Sequence, residues 1–206
     1  MIFQQIPTGK MQNFTYLFAD SETGEGMIID PAFDAEKIMQ VLKEYRVNLQ
    51  RIILTHHHYD HVNAAQPIKA RTGAEIFCHP ETVALLKGEA SHDRLIHDKD
   101  QFKLGNAEVK CLHTPGHAPG SLCLIVNNKW LVTGDTLFIG DCGRADLPGG
   151  SLEELYNSMQ KIKKLNKGLI VCPGHNYGKT PLNTLGEEMQ SNPVLKANSL
   201  TEFMQI

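Results

Sequence analysis

Four separate apolar runs in this chain each end on a metal-competent side chain, and that recurrence constrains the fold more than any other feature of the sequence. Residues 51–54 run into Thr55-His56-His57-His58-Tyr59-Asp60-His61, and residues 107–112 into His113-Thr114-Pro115-Gly116-His117. Residues 129–132 lead to Thr133-Gly134-Asp135, and residues 168–172 to Pro173-Gly174-His175. Short apolar runs bounded by Gly, Pro or polar residues read as buried strands. If the four strands end along one sheet edge, their loops share one pocket, where side chains with chemistry collect.

The first run is the densest. Its H-x-H-x-D-H pattern holds His56, His58, Asp60 and His61. Imidazole nitrogen combined with carboxylate oxygen suits zinc, iron and manganese. His56, His58 and His117 can make one three-imidazole face, and Asp60, His61 and His175 a second. Asp135, with two oxygens, can bridge them. Seven donors around two centres leave open positions for water and substrate, as in two-metal hydrolases. A water between two divalent cations loses much of its proton affinity, which makes hydroxide available as a nucleophile; Asp60 can orient it as well as bind metal. Lone histidines in turns are more often solvated or hydrogen-bonded, and His79, His92, His97 and His113 read that way.

A length of 206 residues suits one domain over 1–206, with a core that needs no disulfide staple. The five cysteines are odd in number and form no C-x-x-C pair, so they read as reduced, mostly buried thiols. A formal net charge of −3 offers no basic face to nucleic acid. No run approaches the roughly 20 apolar residues of a membrane span, and no leader of basic then apolar residues opens the sequence. A cytoplasmic protein without membrane or nucleic-acid partners is expected, with monomer and homodimer both open.

Further strands are expected over residues 11–18, 26–29, 75–78 and 122–126, and helices over 34–45, 62–71, 80–87 and 151 to about 165. Ser151 and Glu154 form a capping box, Gly73 a helix stop, and Asn127-Asn128 a hairpin turn. Residues 91–99 read as irregular. Strands flanked by helices make an α/β chain with its sheets covered by helices.

These motifs resemble the metallo-β-lactamase superfamily along almost the whole chain, from Phe14-Thr15-Tyr16-Leu17 and Ile28-Ile29-Asp30-Pro31 to Asn192-Pro193. The resemblance implies a four-layered αββα sandwich with a metal site at one edge of the paired sheets, and the same seven ligands. Residues 133–138, 142–150 and 184–189 are similar to short, single-domain glyoxalase II-like hydrolases. That similarity implies hydrolysis of hydroxyacylglutathione-type thioesters by a metal-bound hydroxide at two divalent ions, zinc first, then iron or manganese. Persulfide dioxygenases are near rivals. They share a loop like Cys142-Gly143-Arg144 and a stretch similar to His175-Asn176-Tyr177. They hold one iron, and its ligands carry over to His56, His117 and Asp135, a facial triad suited to oxygen activation.

The chain stops soon after Asn192-Pro193, short of the helical extension that helps two-domain glyoxalase II enzymes hold glutathione. Arg144, Tyr177 and Lys179 are therefore the expected contacts for the tail of a small thioester or thiol-derived substrate, with the alternative for Arg144 that it pairs with Asp146 or a neighbouring carboxylate and only shapes the loop. A non-catalytic metal-binding protein is the reading from another class, and the presence of all seven donors argues against it. The missing leader disfavours a secreted β-lactamase, and the missing basic segment disfavours a nuclease.

Overall fold

A computed structural model describes residues 1–206 apart from Lys87 and Glu89. The first sheet contains β1 (Ile2–Thr8), β2 (Asn13–Ala19), β3 (Glu25–Ile29), β4 (Asn48–Ile53), β5 (Glu75–Cys78) and β6 (Arg94–Leu95), hydrogen-bonded in that order. The second contains β7 (Gln101–Leu104), β8 (Ala107–His113), β9 (Leu122–Val126), β10 (Trp130–Gly134), β11 (Ile170–Pro173) and β12 (Asn183–Thr184), also each beside its neighbour in sequence. From β3 to β6 the strands run parallel, as do β10 and β11; the other neighbours are antiparallel. Parallel neighbours need crossovers, and helices supply them. These are α1 (Ala35–Glu44), α3 (Ala65–Thr72) and α4 (Pro80–Leu85) in the first sheet and α5 (Leu152–Ile162) in the second.

The central strands are buried on both faces, which is why they read as unbroken apolar runs. On β2, Phe14, Tyr16 and Phe18 turn toward the second sheet while Leu17 turns toward the helices. On β9, Leu122, Leu124 and Val126 face the first sheet, and Cys123 and Ile125 face α5. Three apolar layers result. Ile38, Leu42 and Ile68 of α1 and α3 pack on the first sheet. Trp130 and Phe3 lie between the sheets, stacked at 5.3 Å. Leu155, Met159 and Ile162 of α5, with Phe203 near the C-terminus, cover the second sheet. Helix, sheet, sheet, helix is the αββα order.

Several expectations shift. The helix expected over 62–71 is two, α2 (Tyr59–Val62) and α3, and α2 starts inside the histidine cluster. Gly73 ends α3 with φ +75°, and Asn127 and Asn128, at φ +50° and +47°, make the left-handed hairpin turn. The helix from residue 80 runs to Leu85, and the expected last residue, Lys87, lies outside the described residues. β6 interrupts the segment read as irregular. β1 and β7 carry half-exposed or polar side chains, so their apolar signal is weak. Among the described residues no helix is long and apolar enough to cross a membrane.

Candidate metal centre

The donors do not arrive from one sheet edge. β4 belongs to the first sheet and β8, β10 and β11 to the second. The two sheets are stitched together at this end. Leu122 N–H donates to Thr55 C=O at 2.9 Å, and Phe14 N–H to Gly174 C=O at 2.8 Å. The strand ends then turn where no side chain fits. A Cβ on Gly134 (φ +47°) would lie 2.5 Å from Thr55 Oγ1, and one on Gly174 would lie 2.2 Å from Asp135 Oδ1. Glycine lets the two loops close on each other.

All seven expected donors come together. His56, His58 and His117 each offer an atom within 4.8 Å of the others, and so do Asp60, His61 and His175. Asp135 stands between the groups. Its Oδ1 is 3.4 Å from His61 Nε2, and its Oδ2 is 3.6 Å from His117 Nε2 and 3.3 Å from His175 Nε2.

The outward-facing ring nitrogens have fixed partners. The Thr55 hydroxyl donates to Asp30 Oδ2 at 2.5 Å and accepts from His56 Nδ1 at 3.0 Å. Nδ1 donates to Asp30 Oδ2 in His61 (3.1 Å), to the Arg144 carbonyl in His117 (2.7 Å) and to the Met11 carbonyl in His175 (2.8 Å). A ring nitrogen that donates outward leaves the lone pair of the other nitrogen facing inward. Those inward atoms crowd. His61 Nε2 is 3.1 Å from His175 Nε2, and His117 Nε2 is 2.9 Å from His58 Nδ1. Buried His56 Nε2 and Asp135 Oδ1 have no hydrogen-bond partner. Converging lone pairs and unpartnered buried polar atoms are costly unless a cation satisfies them. The donor set fits two divalent ions.

The electrostatics have the same shape. Burial first, and neighbouring imidazoles second, favour neutral His56 and His58, lowering His58 to about 4. Burial opposes ionisation of Asp60 and Asp135, yet His61 and His175 hold both well below the usual carboxylate range. Burial also works against protonated His175, but hydrogen bonds to Asp135 and Asp60 outweigh it and raise the imidazole to about 9. Protons and divalent cations are thus alternative neutralisers of the same two carboxylates.

Sequence reasoning missed Asp30 and Asn13. Asp30 accepts from Thr55 N–H at 2.7 Å as well as from the Thr55 hydroxyl and His61. It follows the apolar end of β3, so the rule that found the other strand-end donors would have found it. Asn13 Nδ2 donates to Asp60 O at 3.0 Å and Oδ2 at 2.9 Å, and no motif marks it. A further group, His79, Glu81 and His113, also has atoms within 4.8 Å. Its two rings stack at 4.0 Å and 11°. Near-parallel planes keep their in-plane lone pairs from converging on one ion, and His113 Nε2 is committed to the Pro119 carbonyl at 2.7 Å.

The centre opens onto a cavity of about 600 Å³ lined in part by Arg144 and Tyr177, two of the three expected substrate contacts. Lys179 instead lines a neighbouring pocket with Thr180 and Glu188. The preceding Gly178 packs so tightly on Ile139 that a Cβ there would lie 2.5 Å from the Ile139 Cβ.

Residues 8–175 match the Metallo-beta-lactamase superfamily. Hydroxyacylglutathione hydrolase GloC of Haemophilus influenzae is 34% identical over 97% of this chain and 100% of its own length. The mitochondrial persulfide dioxygenase ETHE1 of Bos taurus is 31% identical over 100% of this chain and 80% of its own. The solved structure of TTHA1623 in a di-iron-bound form has a TM-score of 0.82 at 28% identity, covering 92% of this chain and 98% of that one. With its helix-covered sheet pair and its donors gathered at one end, the chain belongs to the metallo-β-lactamase superfamily.

Proposed function

We propose that this metallo-β-lactamase-fold hydrolase cleaves thioesters, as the name of the GloC relative indicates for that protein. The observation that carries the reading is the pair of complete three-donor groups with Asp135 between them. His56, His58 and His117 would hold one ion, Asp60, His61 and His175 the other, and Asp135 both. Ions bound there supply Lewis acidity, lowering the pKa of a coordinated water and polarising a carbonyl oxygen. The chain's own residues do the positioning. Asp30 and Thr55 fix the rings of His61 and His56, and Asn13 fixes Asp60, which orients the attacking water. Arg144 and Tyr177 line the cavity open to the substrate.

The reaction joins a water oxygen to the acyl carbon and breaks the C–S bond. Thioester and water become carboxylate, thiol and one proton. A thiolate leaves readily, so the site needs no strong general acid. The test is thiol release from thioesters, lactoylglutathione among them, by zinc-loaded protein. No release at full metal content contradicts the reading.

The likeness to ETHE1 over the full chain supports a second reading, a persulfide dioxygenase with one iron on His56, His117 and Asp135. It predicts one iron per chain and oxygen uptake with a persulfide. The complete second group, Asp60, His61 and His175, favours hydrolysis.

A further inference from the structure

The cavity over the centre is divided chemically. Its floor includes His58, Asp60, His117, Asp135 and His175, while Met11, Tyr59, Phe138, Leu147 and Tyr177 contribute an apolar wall. Three of these wall residues are well exposed, Met11 at 49%, Tyr59 at 58% and Tyr177 at 53%. Clustered large apolar side chains left in water at a pocket mouth mark a surface that binds something apolar. Two of the rings are held in place. Tyr177 stacks on His175 at 4.6 Å and 10° and meets Phe138 edge-on at 5.4 Å and 84°. A fixed aromatic wall loses little conformational freedom when a ligand packs on it.

The polar side of the cavity is poor in available positive charge. Arg144 is the one lysine or arginine among the lining residues, and Asp141 also lines the space. Arg144 Nε and Nη2 both donate to the Asp146 carboxylate, at 2.6 and 2.7 Å. A substrate carboxylate that captured Arg144 would exchange one carboxylate for another and sit beside the displaced Asp146, so little is gained. Lys179 is in the neighbouring pocket. A thiol part with the two carboxylates of glutathione therefore meets no unpaired side-chain cation among these lining residues.

Resting on the thioesterase reading, we propose that the substrate is a thioester with a bulky apolar acyl group, aromatic by preference, and a neutral thiol part. The acyl group packs on Met11, Tyr59, Phe138 and Tyr177, and the reaction is hydrolysis as written above.

The test compares the phenylacetyl thioester of N-acetylcysteamine with S-lactoylglutathione, using the zinc-loaded full chain and following thiol release. The expected kcat/KM ratio is about tenfold or more in favour of the phenylacetyl compound, the scale of discrimination an apolar pocket gives. Met11→Ala and Tyr177→Ala should each narrow that ratio about fivefold. Calorimetry with the ketone analogue, in which CH2 replaces the thioester sulfur, gives a readout independent of turnover. Its Kd should rise about fivefold in each variant. Equal or faster cleavage of lactoylglutathione, or a ratio and Kd unmoved by both substitutions, overturns the inference and leaves the thioesterase reading standing. No thiol release from either compound at full metal content removes both.

Discussion

Asp30 shows how far a donor depends on a neighbour that never faces the ion. One carboxylate fixes the His61 ring directly and the His56 ring through the Thr55 hydroxyl. Such outer partners set ring orientation and ligand basicity, and losing one costs roughly 10- to 100-fold in metal affinity. Asp30→Ala is therefore expected to weaken zinc binding at the His61 group by about that factor, measured by competition with a chromogenic chelator. Asn13→Ala, which removes the amide that donates to Asp60, should cost about tenfold, at the low end of the range. Affinities unchanged in Asp30→Ala would mean that the rings are held by packing alone. The seven donors were legible in the sequence because metal binding demands particular residue types. Asn13 was not, because asparagine acquires this role only when β2 is folded against α2.

Elements decide the shape of the cavity. The loop that carries Phe138 and Asp141 is clasped from below by α6 (Leu185–Ser191). Glu188, 1% exposed, accepts from Gly140 N–H at 2.8 Å, Asn183 Nδ2 at 2.8 Å and Asn192 Nδ2 at 3.0 Å. Asn192 Nδ2 also donates to the carbonyls of Phe138 and Asp141, each at 3.2 Å. Glu188→Ala takes a buried acceptor from Gly140 N–H and Asn183 Nδ2, while Asn192 Nδ2 keeps its two carbonyls, and a loss of about 1–3 kcal/mol is expected in urea unfolding. A change under about 0.5 kcal/mol, the level of an ordinary surface substitution, would show that water replaces the carboxylate. Gly174→Ala acts at a strand end, where its Cβ would push on Asp135 Oδ1 from 2.2 Å. Bound zinc per chain should fall while far-ultraviolet circular dichroism stays as it is. Full zinc content in that variant would show that the loop yields without moving Asp135. Helix ends were readable where a side chain caps them: Ser151 caps α5 by accepting from Glu154 N–H, but its own N–H donates to the Gly116 carbonyl at 2.8 Å, so only half of the expected capping box forms. β1 and β7 were not, because partly exposed strands lose the unbroken apolar signal that marked the central ones.

At the scale of the whole molecule, the centre is a clasp between two sheets. Donors after β4 come from one half of the chain, and His117, Asp135 and His175 from the other. The residues alone predicted helix-covered sheets, and the layer order came from the family resemblance. That the strand ends belong to two sheets rests on contacts such as Leu122 N–H to Thr55 C=O, which no local pattern announces. Ions bound across the two sheets stabilise the folded chain by mass action, about 4 kcal/mol at a thousandfold excess over Kd. For a chain of this size, removing them with a chelator should lower Tm by about 10 °C in calorimetry. A Tm that ignores the chelator would place metal binding outside the clasp.

Native mass spectrometry of the intact chain, alone and as Asp60→Ala, counts ions directly. Two divalent ions per chain, falling to one in Asp60→Ala, is the predicted result. A single iron per chain, retained unchanged when Asp60 is replaced, would contradict the two-ion hydrolytic centre and favour oxygen chemistry at His56, His117 and Asp135.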